Sequence, residues 1–343
     1  MKSTLIGIDL AKNVFQVCAL NRAGKVMRNE AVKRPKLLHF IRQFEPTTIA
    51  MESCGSSHHW ARCFRDLGHT VELIPAQHVA PFVRGGKSDA RDALAICEAA
   101  QRPSLHRVPI KSLEQQDLQA MHRLRQLYVE QTTATANQIR GIAREYGVCF
   151  SVGLRPLIKQ VPEALESADN ELTDIARALL AERLMDLSKL RERVLSVTRR
   201  IVRVSSVNPA FEALQALPGI GILSASAYLN TIGSGEQFKC GRQVSAWLGL
   251  VPRQYGSGGQ LQLKGITKSG DRYLRGLLIH GARAAISVTK DRQSPLIRWA
   301  EPIVARRGFN KAVVALANKN ARIGWLIVAR DATYDSSKAF APA

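Results

Sequence analysis

The sequence predicts an α/β domain followed by a mainly helical remainder, and two observations carry this prediction. In the first third, short apolar runs alternate with helical segments, and two of these runs end in an acidic residue. From residue 112 onward, apolar residues recur at steps of three and four, which is the spacing of helices. A length of 343 residues allows two or three domains. We place these domains at residues 1–108, 109–206 and 207–343.

The first third is predicted to form a mixed sheet with helices packed on it. Its elements follow in the order strand, strand, strand, helix, strand, helix, strand, helix, which is typical of such a sheet. The second and third strands flank the turn Asn21–Gly24, which is a hairpin signal. The predicted strands are Thr4–Asp9, Asn13–Ala19, Lys25–Ala31, Thr47–Glu52 and His69–Ile74, and the predicted helices are Lys36–Phe44, Ser57–Leu67 and Ser88–Gln101.

The middle of the chain is predicted to be helical. Ser112–Gln115 has the form of a capping box and begins a helix that runs to about Tyr146. Glycine and proline within Gly147–Pro162 should then turn the chain. A seam of coiled-coil type follows, formed by Leu187, Leu190, Val194, Val197, Ile201 and Val204. The seam fits a contact between two copies of the chain and a helical hairpin that packs on itself equally well.

The last third is predicted to be mainly helical, with two glycine-rich turns. Leu217–Gly221 precedes the helix Ile222–Leu229 and is similar to a helix-hairpin-helix turn, whose glycines let the backbone approach phosphates. A tight turn between helices explains the same residues equally well. Further helices are predicted at Arg242–Leu248 and Asp271–Ile286, with the glycine-rich loop Gly256–Gly259 between them.

The charge of the chain indicates a polyanionic partner. Lys and Arg number 49 against 28 Asp and Glu, which gives a net charge of +21. Residues 205–343 carry +11 of this excess and residues 1–110 carry +7. Because each phosphate neutralised by a basic side chain releases a counterion, nucleic acid is the expected partner.

Other classes of protein are disfavoured by composition. No apolar run approaches the 18 residues of a membrane span, and the N-terminus lacks the apolar stretch of a signal peptide. The six cysteines form no CxxC pair, which argues against a zinc site and against a disulfide framework. We expect a cytoplasmic protein with reduced cysteines and no membrane partner.

Four acidic residues of the first third are candidate metal ligands. Asp9 and Glu52 end predicted strands, where open α/β sites form, while Asp89 and Asp92 share one face of a predicted helix. These four are nearly half of the nine acids in a net-basic segment. Carboxylates that converge repel one another unless cations neutralise them, and such ligands suit Mg²⁺ or Mn²⁺. Solvated surface acids remain the simpler alternative.

The segment after Asp9 separates two classes of enzyme. A strand that ends in Gly7-Ile8-Asp9 before a hairpin fits sugar kinases of the actin type and nucleases of the RNase H type. The kinases need a small or hydroxyl-bearing phosphate loop after the acid, whereas Leu10-Ala11-Lys12-Asn13 follows here. An RNase H-like domain is therefore the prediction.

Several motifs together resemble one family over nearly the whole chain. The first third resembles the RuvC-like DEDD domain of insertion-sequence family 110 transposases, and the last third is similar to that family's second domain. The spacing from Glu52 to Asp89 and the segment His58-His59-Trp60 resemble the 1111 subgroup. The motifs are Gly7–Lys12, Met51–Gly55, Lys87–Ala93, Leu217–Gly221, Gly249–Arg253, Ser257–Gly259 and Lys268–Arg275.

The resemblance implies a DNA recombinase with a covalent intermediate. Asp9, Glu52, Asp89 and Asp92 would hold divalent metal, and Ser257 matches the serine that attacks the phosphodiester. A noncoding bridge RNA would pair with donor and target DNA. The family works as a dimer that pairs into a tetramer, with serine and carboxylates of one site from different protomers.

Six basic residues are candidate phosphate contacts, five of them near Ser257 in sequence. They are Lys12, Arg253, Lys264, Lys268, Arg272 and Arg275. Two other functions fit the residues. A junction-resolving nuclease would hydrolyse DNA with the carboxylates alone, and a non-enzymatic nucleic-acid binder would keep the acids as remnants.

Overall fold

The computed structural model describes residues 4–86, 88–257, 260–288 and 294–334. The chain forms two compact units, Met1–Ser112 and Leu113–Ala343. The helices predicted for the middle of the chain thus belong to the same unit as the last third. The division into three domains stays a prediction.

The first unit contains the predicted mixed sheet. Its five strands lie in the order β3-β2-β1-β4-β5. The pairs β1–β2 and β2–β3 are antiparallel, whereas β4 is parallel to both β1 and β5. The strands are β1 (Leu5–Asp9), β2 (Val14–Leu20), β3 (Val26–Lys33), β4 (Thr48–Glu52) and β5 (Thr70–Ile74).

Alternation along β1 assigns its side chains to two cores. Ile6 and Ile8 are fully buried in the core that includes α2 (Ser57–Asp66), whereas Leu5 belongs to the core on the side of α4 (Asp89–Ala100). Because successive side chains point to opposite faces of a strand, Asp9 shares the face of Leu5. The helices of this unit are α1 (Leu37–Ile41), α2 (Ser57–Asp66), α3 (Ala76–Val79) and α4 (Asp89–Ala100).

The second unit begins with a helical hairpin. α5 (Leu113–Glu145) starts directly after Ser112, as predicted, and packs along α7 (Asp174–Ser205). At one end Leu118 of α5 contacts the cluster of Ile201 on α7, and at the other end Ile139 shares a core with Leu180. Since the sequence order is reversed between the two ends, the two helices are antiparallel.

Part of the predicted seam is used within the chain. Leu187, Val197 and Ile201 are buried in the hairpin, whereas Val204 is 42% exposed. The hairpin interpretation accounts for the buried positions, and a seam between two copies stays a prediction.

A further helix, α6 (Leu154–Glu166), was not predicted, because its two prolines were interpreted as breaks. Pro156 lies in the first turn, where a helical N–H has no intrahelical partner, so a proline is tolerated there. Pro162 lies inside the helix near its end.

The remaining elements enclose the largest core of the second unit. The predicted turn at Leu217–Gly221 packs within it: a Cβ on Gly219 would lie 2.6 Å from the Gly281 carbonyl oxygen, and the backbone there has φ of +85°. Gly219 therefore allows this turn to pack closely against the helix that carries Gly281. The elements are α8 (Ala210–Gln215), α9 (Ile222–Ile232), α10 (Gly241–Trp247), β6 (Pro252–Ser257), β7 (Gln260–Ile266), α11 (Arg272–Ser287), α12 (Pro295–Arg307) and α13 (Phe309–Arg330).

A buried chain of hydrogen bonds joins α5, α7, α9 and α11. The Ser205 hydroxyl donates to Ser226 Oγ over 2.7 Å, and Ser226 Oγ lies 2.9 Å from His122 Nε2. The other ring nitrogen, His122 Nδ1, lies 3.0 Å from the Tyr273 hydroxyl. A separate property concerns membranes: in the described part of the chain, none of the helices combines the length and the hydrophobicity of a membrane span.

Candidate active site

Two of the predicted acids end neighbouring parallel strands. Ile8 of β1 is paired with Met51 of β4, so Asp9 and Glu52 occupy the next position of the two strands. The carboxyl ends of parallel strands meet at one edge of the sheet. The sequence pattern therefore brings both acids to the same edge and the same face.

The other two acids come to this face from α4. Asp89 and Asp92 lie in the first turn of α4, three residues apart, and α4 packs on β1 and β2. Carboxylate oxygens of Asp9, Asp89 and Asp92 lie within 4.8 Å of one another. The structure thus brings together three of the four predicted ligands, with Glu52 on the adjacent strand.

Gly7 allows α4 to approach β1 this closely. A Cβ at residue 7 would lie 2.5 Å from the Ala93 carbonyl oxygen and 2.5 Å from Cys97 Sγ. Both distances are far shorter than van der Waals contact, so no larger residue fits without a shift of the helix. The glycine lies two residues before Asp9, and Ala93 directly follows Asp92, so the contact sets the spacing of the acids.

A side-chain bridge also holds the start of α4. Gln16 of β2, which is opposite Asp9 in the sheet, donates from Nε2 to Asn29 Oδ1 over 2.7 Å. Asn29 in turn donates from Nδ2 to the Ala90 carbonyl over 2.9 Å. The bridge fixes the turn that carries Asp89. Sequence reasoning missed it, because only the strand register places these residues together.

Burial and the neighbouring carboxylates disfavour the charged forms of Asp9 and Glu52. Burial, and then the charges of Asp92, Asp89 and Glu52, raise the pKa of Asp9 to about 6. Burial, and then the charge of Asp92, also raise the pKa of Glu52. Among the ion pairs of the described residues, none includes these four carboxylates.

This cluster fits a divalent cation. Carboxylate oxygens are the hard ligands that Mg²⁺ and Mn²⁺ prefer, and a cation would relieve the repulsion that raises the pKa of Asp9. Arg91, between the two acids of α4, donates to the Gly86 carbonyl instead. Asp9, Asp89 and Asp92 are thus the residues that could hold the ion.

Ser257 lies in the second unit, at the end of a hairpin. It is the last residue of β6 and is paired with Gln260 of β7. The Ser257 side chain and the two glycines lie outside the described residues. The hairpin was not predicted, although two glycines between short strands are a strong hairpin signal.

Five of the six predicted phosphate contacts are exposed. The Lys264 ammonium lies over the ring of Tyr255, 4.5 Å from its centre, and Arg253 Nη2 donates to the Thr267 carbonyl. The Lys12 carbonyl accepts from Arg34 Nε, which holds the turn after Asp9. The exposed residues are Lys12, Arg253, Lys264, Lys268 and Arg272.

Arg275 is placed differently, because it is only 8% exposed. Its Nη1 donates to the carbonyls of Leu248 and Ser269, over 3.1 and 2.5 Å. The guanidinium therefore ties the end of α10 to the turn before α11. A role of Arg275 as a phosphate contact stays a prediction, and its burial adds no support to it.

Comparison with known proteins identifies the family. Residues 6–148 match the DEDD transposase family of IS110, and residues 211–296 match the transposase family IS116/IS110/IS902. A probable family 20 transposase of Pseudomonas aeruginosa is 44% identical over 335 residues, which cover 97% of this chain and 99% of that protein.

Two further relatives are named for insertion sequences. The transposase for IS1111A of Coxiella burnetii is 38% identical, over 96% of this chain and 91% of its own. The transposase for IS1328 of Yersinia enterocolitica is 35% identical, over 96% of this chain and 98% of its own. With these matches along nearly its whole length, the chain belongs to the IS110/IS116/IS902 family of DEDD transposases, enzymes of DNA recombination that depend on divalent metal.

Proposed function

We propose that this transposase cuts and rejoins DNA through a covalent link to Ser257, with Asp9, Glu52, Asp89 and Asp92 as its metal ligands. The observation that carries the proposal is the cluster of Asp9, Asp89 and Asp92, whose oxygens lie within 4.8 Å of one another. A divalent ion, when bound, supplies charge neutralisation at the phosphodiester. Mg²⁺ is the expected ion, with Mn²⁺ as its substitute.

The covalent step conserves the energy of the broken bond. Ser257 Oγ attacks phosphorus, a P–O bond to one deoxyribose breaks, and the serine proton leaves for a base. The departing oxygen takes up a proton. Attack by a deoxyribose hydroxyl on the phosphoserine then reverses the step, restores the serine and joins the new strands.

The proposed nucleic-acid partners follow from the charge of the chain and from its family. The net charge of +21, with +11 in residues 205–343, supports contact with several phosphate backbones. We further propose that a bridge RNA from the same element pairs with donor and target DNA. We also propose that two copies form a dimer and two dimers form the tetramer that exchanges strands.

A covalent trap tests the proposal. The protein is mixed with the RNA of its element, donor and target DNA and Mg²⁺, then denatured and examined for DNA that remains attached. We expect an adduct at Ser257 that is lost in Ser257→Ala and in Asp9→Asn. The matched controls are Ser206→Ala and Asp66→Asn, both exposed and outside the candidate site, and they should leave the adduct unchanged.

One observation favours a second function. The carboxylate cluster is assembled entirely within the first unit, which would suffice for hydrolysis by a junction-resolving nuclease. That enzyme would cleave DNA without an adduct, at an undiminished rate in Ser257→Ala. Such a result would overturn the covalent step and retain the metal site. Full recombination by Asp9→Asn would overturn both.

A further inference from the structure

A large groove lies in the second unit, beside the two paired strands of which the first ends at Ser257. It has a volume of about 1810 Å³ and runs between α10, α13 and the β6–β7 hairpin. Its apolar lining includes Leu250, Ile266, Val314, Ile323 and Leu326. A pocket for a small ligand usually has about 300–1,000 Å³. The groove is therefore large enough for a segment of a polymer.

The lining is strongly basic. The described residues around the groove include six basic side chains and no acidic one. They are Arg242, Lys264, Arg307, Lys311, Lys319 and Arg322. A surface with six basic side chains and no acidic one attracts a partner of opposite charge. The complementary partner is a polyanion.

Trp299 on α12 adds an aromatic surface to this lining. Its side chain is partly exposed, and the Lys319 ammonium lies 4.2 Å from the centre of its ring. A partly exposed ring beside basic side chains is the arrangement on which bases stack while phosphates are neutralised. An acidic peptide would use the charges and leave the ring unexplained.

We propose that this groove binds a single-stranded segment of nucleic acid. Phosphates would contact the six basic side chains of the lining, and a base would stack on Trp299. A duplex fits less well, because its bases are stacked inside the helix and cannot reach the apolar lining of the groove. The proposal rests on the transposase function only in that the enzyme handles nucleic acid. It requires neither the carboxylates nor Ser257, so it can fail or hold independently of them.

Binding of labelled 12-nucleotide oligo(U) and oligo(dT) to the full chain in EDTA tests this proposal. Because a stacked base contributes about 1–3 kcal/mol, Trp299→Ala should weaken binding by about 5- to 160-fold. Trp299→Phe keeps a ring and should retain most of the affinity. Equal, undiminished affinity in the wild type and Trp299→Ala would overturn the proposal. If Trp299→Ala unfolds, Trp299→Phe carries the test. A folded Trp299→Phe protein that loses as much affinity as Arg307→Gln with Lys311→Gln would overturn the proposal.

A charge-matched pair separates the groove from the general field of the protein. Arg307→Gln with Lys311→Gln removes two charges from the groove, and Arg200→Gln with Lys189→Gln removes two exposed charges of α7. The first pair should lower the slope of log affinity against log salt by about 1.4, since each single-strand phosphate contributes about 0.7. The second pair should change affinity less than twofold. Equal losses in both pairs would overturn the proposal.

The choice of probes distinguishes the possible ligands. Tighter binding of oligo(U) would indicate RNA and tighter binding of oligo(dT) would indicate DNA, and both support a single-strand site. A 12-base-pair duplex that binds equally well and depends equally on Trp299 would overturn it. A shift in oligomeric state in Trp299→Ala, measured by light scattering with unchanged oligonucleotide binding, would assign the groove to self-association and overturn it too.

Discussion

Replacement of Gly7 by alanine tests how the carboxylate cluster is built. The added Cβ would lie 2.5 Å from the Ala93 carbonyl oxygen and from Cys97 Sγ, whereas ordinary contact begins at 3.4 Å. α4 must therefore move by about 1 Å away from β1, because the carbonyl belongs to the helix backbone. Such overpacking costs about 1–3 kcal/mol of unfolding free energy.

The same movement displaces Asp89 and Asp92 from Asp9. A misplacement of about 1 Å can lower the rate of an enzyme about 100-fold, so strand cleavage should fall by this order. Since the carboxylates themselves remain, a higher Mg²⁺ concentration should restore part of the activity. The assay measures cleavage against Mg²⁺ concentration, together with thermal unfolding of each variant.

Gly141→Ala is the matched control for this substitution. Gly141 lies inside α5 with nothing within 4 Å of its added Cβ. Alanine there should stabilise the helix by about 0.5–1 kcal/mol and leave the Mg²⁺ dependence unchanged. A Gly7→Ala protein that matches the wild type in stability and in Mg²⁺ dependence would refute the close-contact argument.

Three other predictions follow from the hydrogen bonds. Asn29→Ala removes the bridge to the Ala90 carbonyl and should lower cleavage by about tenfold at limiting Mg²⁺, with recovery at high Mg²⁺; no recovery would contradict a positioning role. Burial lowers the pKa of His122 from 6.5 to about 4, so the unfolded chain takes up the proton first. The contribution of His122 to the free energy of unfolding should be constant above pH 6.5 and fall by up to about 3 kcal/mol toward pH 4, so the stability of the wild type relative to His122→Gln in urea should decrease by that amount over this range. Arg275→Gln should lower the melting temperature, because it removes the hydrogen bonds to the Leu248 and Ser269 carbonyls. The exposed variant Arg272→Gln should instead lower DNA affinity with an unchanged melting temperature.

Much of the first unit could be predicted from the sequence. Each of the five strands begins and ends within two residues of its predicted bounds, because apolar runs between turn signals leave few alternatives. The positions of Asp9 and Glu52 at strand ends followed from the same runs. In contrast, the β6–β7 hairpin was interpreted as a loop, and α6 was missed because Pro156 looked like a break when it lies in a helical first turn.

Arg275 and Arg272 show the limit of local patterns. Both are basic residues of one short motif, and the sequence gives no reason to separate them. Only the packing of α11 against the end of α10 buries Arg275 at 8% exposure and leaves its neighbour exposed. Trp299 and the basic groove were missed for the same reason, because their residues come from segments that are distant along the chain.

The sequence by itself determined that this protein has an acid at the end of each of two strands, two acids in one helical turn and a large excess of positive charge. These are properties of residue order, since period-two and period-3.6 spacing need no distant contacts. The tertiary structure decided that the acids of α4 meet Asp9. That outcome depends on the absence of a side chain at Gly7 and on the bridge from Asn29 to Ala90, two contacts between residues more than 60 positions apart.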